Sequence, residues 1–167
     1  MKTMIILIVF TAVLVLLLNL TEPPEPLEYV ENRTFEKHSN LLFDYDIIRY
    51  PAGAEITPIG SLNSSIVLGF VTDSWNLNFG GIPANGSYAT RTIKLSNKED
   101  KAVKIIMKSY GNVSDLISFG RNEFILKPGE TVSIDIFSYT NDFTVGSYSG
   151  EVDIIVKKPI YNFLCIS

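Results

Sequence analysis

The residues of this sequence best suited to carry chemistry are asparagines in the N-x-Ser/Thr pattern, which accepts an N-linked glycan in exported proteins. The candidate acceptors are Asn32, Asn63, Asn85 and Asn112, and a fifth triplet begins at Asn19, close to an apolar segment. About two such triplets are expected by chance, so the excess favours an exported protein. Asn85 and Asn112 lie in predicted turns, where we expect a glycan to be accommodated if the host attaches one.

The familiar catalytic motifs are absent from the sequence. It contains no HExxH, GxSxG, GxxxxGK or CxxC pattern, which removes the common hydrolase, nucleotide-binding and redox signatures. His38 is the only histidine, so a histidine-based triad or metal site lacks a second member. Cys165 is the only cysteine, which excludes a disulfide within the chain. We therefore expect a non-enzymatic protein with no catalytic residue, no cofactor and no metal.

Two small groups of polar side chains offer oxygen atoms of the kind that calcium prefers. Asp44 and Asp46 form one group, and Asn97, Glu99 and Asp100 form the other. Neither approaches the twelve-residue spacing of an EF-hand loop. Neither group is therefore taken as a metal site.

The charge of the chain bears on its partners. The net charge is −4, which excludes a strongly basic nucleic-acid binder, because duplex affinity comes mainly from neutralising phosphates. Residues 1–64 carry four Lys/Arg and eight Asp/Glu, whereas residues 65–167 carry ten of each. We expect no nucleic-acid partner.

The apolar segment at the start of the chain predicts a transmembrane helix. Residues 4–20 carry no charge and are broken only by Thr11 and Asn19. Such a helix reaches about 26 Å, just short of the ~30 Å hydrocarbon core. No small-residue cleavage site follows it, so we expect the anchor to be retained. Lys2 precedes the segment and glutamates follow it, which places the N-terminus on the inner side of the membrane and the rest of the chain on the outer side. The predicted localisation is therefore single-pass membrane with an extracytoplasmic domain.

The chain divides into four predicted regions. Residues 1–20 form the membrane anchor, and residues 21–40 form a stalk, because they are rich in Pro and Glu and lack an apolar period. Residues 41–158 form a β domain, and residues 159–167 form a C-terminal tail. Within the domain, residues 41–50 could be a first strand, and residues 51–65 are interpreted as a loop.

From Ser65 onward, apolar and polar residues alternate in short runs separated by turn residues every 8–12 positions. This pattern predicts an all-β fold, an immunoglobulin-like antiparallel β-sandwich of seven to eight strands, preceded by the one transmembrane helix. The Lys127–Glu130 segment predicts a type II turn. The side chains predicted to point inward are Trp75, Leu77, Phe79, Ile93, Leu95, Ile105, Ile134, Ile136, Ile154 and Val156.

Four short motifs carry a resemblance to a known family. They are L-x-F-G at 77–80, I-x-L-x-N at 93–97, L-x-P-G-E at 126–130 and G-x-Y-x-G at 146–150. The region 66–156 resembles the immunoglobulin-like modules of the ASPM–SPD-2–Hydin and major-sperm-protein-like group, and related prokaryotic cell-surface domains. The resemblance implies a sandwich that binds or supports other proteins. Tyr148 in the last motif is either a tyrosine corner or a cross-strand aromatic.

These observations favour a non-enzymatic, membrane-tethered, extracytoplasmic binding or structural module of the cell envelope. It would contact a protein partner through a sheet face or an open strand edge. One alternative is an accessory subunit of a membrane or filament machine that contacts partners through its anchor helix. Another is a chaperone-like strand acceptor. Eight tyrosines could supply a sugar-stacking surface, but the sequence does not order them into a stripe.

Overall fold

A computed structural model describes residues 2–19, 26, 28–58, 75–84, 86–140 and 143–161. The described chain contains one α-helix, nine strands and a short 3₁₀ turn at Ser114–Leu116. The helix α1 spans Lys2–Asn19. The strands are β1 Thr34–Ser39, β2 Phe43–Thr57, β3 Leu77–Pro83, β4 Tyr88–Ser96, β5 Val103–Gly111, β6 Ile117–Phe119, β7 Phe124–Leu126, β8 Thr131–Tyr139 and β9 Gly146–Pro159.

The strands form two sheets that pack into a β-rich sandwich, as the alternating sequence predicts. The large sheet has the order β1–β2–β9–β5–β7, with β3 also paired to β2, and the small sheet has the order β4–β8–β6. Every pairing is antiparallel among the described residues except β2 with β3, which is parallel. The prediction of a purely antiparallel sandwich is therefore wrong at this one pair.

The predicted transmembrane helix is wrong. In the described part of the chain, no helix is both long enough and apolar enough to cross a membrane. The helix α1 has 18 residues and reaches about 27 Å, less than the ~30 Å hydrocarbon core, and its two ends are the polar Lys2 and Asn19. The predicted single-pass membrane localisation is overturned with it.

Two strands, β1 and β3, pair with the same edge of β2, each along a different part of it. The strand β1 pairs antiparallel with residues 44–49 of β2, and β3 pairs parallel with residues 52–57. The two neighbours meet at Pro51, which has no N–H to offer to either of them. The six residues of β1 belong to the predicted stalk, so the ordered sheet begins before residue 41.

The core lies between the two sheets, and the alternation predicts most of it. Six of the predicted inward side chains are buried, namely Leu77, Phe79, Ile105, Ile134, Ile136 and Ile154. Ile93, Leu95 and Val156 are partly buried and pack against them. Trp75 is 69% exposed, so its prediction as a core residue is wrong. The strand β3 begins only at Leu77, so alternation does not apply to Trp75.

Two local features agree with the sequence. The Glu130 N–H donates to the Lys127 carbonyl at 3.0 Å, and Gly129 has φ of 72°, as a type II turn requires. The Tyr148 hydroxyl donates to the Thr144 carbonyl at 2.9 Å. A phenol that closes back onto the backbone a few residues upstream is the contact of a tyrosine corner.

Candidate functional site

The candidate glycosylation sites are only partly described. Asn32 and Asn112 are exposed, and Asn63 and Asn85 lie outside the described residues. The Oδ1 atom of Asn112 accepts a hydrogen bond from the Ser149 N–H at 2.6 Å. That hydrogen bond does not involve Nδ2, the nitrogen atom that would carry a glycan. Glycosylation at the four positions stays a prediction.

Three of the side chains considered as calcium ligands, Asp46, Asn97 and Glu99, make contacts within the fold. The buried Asn97 donates through Nδ2 to the Leu126 carbonyl at 2.9 Å and accepts from the Glu99 N–H at 3.0 Å. The Lys158 ammonium lies 2.6 Å from both Glu99 and Asp46 carboxylates. Within the described residues, no three His, Cys, Asp or Glu side chains are grouped so that they could hold a metal ion.

Three aromatic side chains meet on the outer face of the small sheet, and we call them the aromatic cluster: Tyr88, Phe137 and Tyr139. Tyr88 and Tyr139 are cross-strand partners, with ring centroids 5.8 Å apart. Phe137 stacks on Tyr139, also at 5.8 Å. Tyr88 is 62% exposed. The register of β4 against β8 thus orders tyrosines that the sequence alone leaves unordered.

The aromatic cluster lies beside an open strand edge. The strand β4 is the outermost strand of the small sheet, and among the described residues no strand pairs with its other edge. Such an edge presents backbone N–H and C=O groups on which a further strand can pair. Farther along β4, the outer face turns polar, where Thr92 donates to Asp135 at 2.5 Å. We call the aromatic cluster and the open edge of β4 together the edge surface.

Arg91 ties the edge surface to the large sheet. Its guanidinium Nε donates to the Asn78 carbonyl on β3 at 2.8 Å. This bond joins an edge strand of one sheet to an edge strand of the other. The position of β4 is therefore fixed independently of its pairing with β8.

A second cluster of functional groups lies on the outer face of the large sheet, and we call it the charge cluster: Arg49, Glu151 and Asp153. Their exposed fractions are 7%, 0% and 2%. Arg49 Nη1 lies 3.5 Å from Glu151 Oε1, and Arg49 Nη2 lies 3.1 Å from Glu36 Oε2 on β1. Arg49 therefore pairs with one buried carboxylate, Glu151, and one exposed carboxylate, Glu36, and a second buried carboxyl group, Asp153, lies opposite it in the register of β2 and β9.

Burial and the neighbouring carboxyl groups perturb the pKa of Asp153. Burial raises the pKa of Asp153 to about 8, helped by its hydrogen bond to Glu151 and by the negative charges of Glu151 and Glu36, and opposed by Arg49. Asp153 is therefore protonated at neutral pH. Asp153 Oδ1 and Arg49 Nε have no hydrogen-bond partner. Buried groups with perturbed pKa values and unmet hydrogen bonds often mark sites with a role beyond stability.

A shallow groove of about 440 Å³ lies where β1 and β3 meet on β2. Its polar side chains are Glu31, Glu55, Asn76 and Asn78, and small residues of β2 form its floor. The lining of the groove combines two acids with two amides. This combination provides neither a nucleophile paired with a base nor an oxyanion site.

Sequence reasoning missed both clusters. It placed Glu151 and Asp153 outside the core by alternation, and the signal that could have marked them is their i, i+2 spacing in an otherwise apolar strand. Phe137 and Tyr139 have the same spacing on β8. The chain matches no family model, and no curated protein matches it significantly. The functional conclusion therefore rests on the geometry of the chain itself.

Proposed function

We propose that this protein is a non-enzymatic binding module that takes up an extended segment of a partner protein along β4. The observation that carries the proposal is the exposed aromatic cluster next to the open edge of β4. Backbone hydrogen bonds to an edge strand supply affinity, and side-chain contacts beside the edge supply specificity. Tyrosine is enriched among the residues that dominate binding energy at protein interfaces.

The shape of the aromatic cluster favours a protein partner over a sugar. Phe137 and Tyr139 stack with an angle of 28° between their rings and with ring centroids 5.8 Å apart, so one face of each ring is turned towards the other ring. A flat platform for a sugar needs free ring faces, whereas ring edges and one exposed phenol suit the side chains of a peptide. Tyr88 is the residue of the cluster best placed to contact a segment on β4.

The two alternative functions considered from the sequence are an accessory subunit of a membrane or filament machine and a strand acceptor. An accessory subunit that works through a membrane anchor loses its basis with the transmembrane helix. A strand acceptor uses the same edge of β4 as the proposed module and differs only in the nature of its partner. The edge surface itself holds Asp135 in a hydrogen bond with Thr92, an arrangement suited to contact and not to catalysis.

Site-specific cross-linking in the host cell tests the proposal. We expect a photoreactive phenylalanine at position 88 to capture one partner protein, and the same residue at Ile125 to capture none of it. Ile125 is exposed on β7, at the far edge of the large sheet. With the purified partner, Tyr88→Ser should weaken Kd by at least about tenfold, or about 1.4 kcal/mol.

The control variant is Ile125→Ser, which should leave Kd unchanged. Both variants replace an exposed side chain, so their melting temperatures should stay close to that of the original protein. Equal capture at positions 88 and 125, or an unchanged Kd for Tyr88→Ser, would contradict the proposal.

A further inference from the structure

A short segment before β1 lies against the large sheet, and we call residues 28–33 the strap. The Val30 N–H donates to Glu151 Oε2 at 2.7 Å. A Cβ placed on Gly111 would come within 3.3 Å of the Tyr29 ring, so that ring sits directly over the β5 backbone. The strap is thus docked on the large sheet, and one of its contacts is a hydrogen bond to a buried carboxylate of the charge cluster.

The same carboxylate is connected to β1, which follows the strap. Arg49 bridges Glu151 on β9 and Glu36 on β1, at 3.5 and 3.1 Å. Glu151 therefore accepts from the strap with one oxygen and faces the guanidinium with the other. A change in the charge around Glu151 would therefore affect both the contact with the strap and the contact with β1.

We propose that Asp153 is a proton-controlled latch for the strap. When Asp153 carries its proton, it donates a hydrogen bond to Glu151, and Glu151 keeps its bonds to Val30 and Arg49. When the proton leaves to solvent, a second negative charge lies beside Glu151. Asp153 then competes with Glu36 and Glu151 for Arg49, and the strap is released.

The charges that face the charge cluster support this behaviour. On β5, the residues paired with Asp153 and Glu151 are Lys108 and Tyr110. The strap itself carries Glu28, Glu31 and Arg33, and Arg33 lies over the Tyr50 ring at 5.1 Å. With Asp153 protonated, Arg49 is the cation that contacts both anions, Glu36 and Glu151. Ionisation of Asp153 adds a third negative charge around this one guanidinium in a buried place, which is unfavourable.

The direction of the pH dependence follows from the pKa. In the docked state, burial raises the pKa of Asp153 from 3.8 to about 8. A released, hydrated Asp153 would give up its proton at much lower pH, so the docked state holds one more proton between these values. Docking is therefore strongest at acid pH and weakens by at most about tenfold per pH unit as the pH rises towards the docked pKa. An ordinary carboxylate in an ion pair has a lowered pKa, so the contact that it makes is weakened as the pH falls and not as it rises.

The NMR signal of the Val30 amide in the full-length protein tests the latch directly. We expect the signal to change position in one transition that is complete by about pH 8, the pKa of Asp153, as the amide loses its acceptor. Asp153→Asn replaces the carboxyl with a neutral group of the same shape. It should abolish the transition and hold the signal at its acid position. The matched control is Asp100→Asn at an exposed carboxyl, which should keep the transition.

A Val30 signal that stays constant with pH in the original protein would overturn the latch, as would a transition that persists in Asp153→Asn. If Asp153→Asn does not fold, Glu36→Gln decides the question. It removes an exposed negative charge that raises the pKa of Asp153, so the transition should move to lower pH. A transition that stays in place or moves to higher pH in Glu36→Gln would also overturn the latch.

Discussion

Replacing Gly150 with alanine is expected to lower the free energy of unfolding by at least about 3 kcal/mol. Gly150 on β9 pairs with Gly111 on β5, and a Cβ at Gly150 would overlap the Tyr110 carbonyl oxygen and touch Val113 Cγ1 at 3.0 Å. The oxygen belongs to the backbone of the neighbouring strand, so relief requires β5 and β9 to move apart. Domains of this size have only about 5–15 kcal/mol to lose. Urea denaturation followed by far-ultraviolet circular dichroism measures the loss.

The control for this change is Gly81→Ala on β3. A Cβ at Gly81 would meet only Thr57 Cγ2, at an ordinary 3.7 Å. Its expected cost is about 1 kcal/mol or less, because only an open surface position is altered. Similar losses for the two alanine variants would show that β5 and β9 do not approach as closely as described.

The second large effect is expected in the core of the small sheet. Ile134 on β8 is buried between the two sheets, so Ile134→Ala should cost about 2–5 kcal/mol through lost contacts and a new cavity. Its neighbour Asp135 points outward and is exposed. Asp135→Ala should cost only about 0.5 kcal/mol, although it removes the hydrogen bond to Thr92.

Urea denaturation of the full-length protein compares these two variants. The slope of unfolding free energy against urea should be the same for both, since the amount of surface exposed on unfolding does not change. Equal losses at positions 134 and 135 would mean that the register of β8 is wrong.

Much of the fold can be predicted because each sheet has one face in the core. Alternation alone identifies buried residues on four different strands, including Phe79, Ile105, Ile136 and Ile154. The rule works there because the side-chain period of a strand is two residues. It fails at Trp75 because the period holds only inside a strand, and the start of β3 is not visible in the sequence.

The sequence did not predict β1 or the second half of β2, and the reasons differ. Five of the six side chains of β1 are exposed, so β1 carries no apolar alternation, and only its pairing with β2 identifies it. The second half of β2 was interpreted as a loop because Pro51 and Gly53 usually interrupt strands. Pro51 is tolerated at the place where neither β1 nor β3 requires its missing N–H. Ala52 and Ala54 are buried in the core.

The charge cluster and the aromatic cluster depend on pairing between distant parts of the chain. Arg49 lies beside Asp153 because β2 pairs with β9, and Tyr88 lies beside Tyr139 because β4 pairs with β8. Such registers join residues more than fifty positions apart along the chain, and local patterns do not determine them. The sequence could therefore indicate the faces of the strands but not which side chains meet on them.

The antiparallel packing of β1 and β9 on either edge of β2 determines how the sandwich would bear tension. A pull on the chain before Thr34 acts along β1 in one direction, and a pull after Pro159 acts along β9 in the other, because both strands run antiparallel to β2. The hydrogen bonds between these strands lie perpendicular to that pull. They would therefore be loaded together in shear and not opened one after another. The resistance of the module to force would be set by the rate at which the whole β1–β2 ladder ruptures.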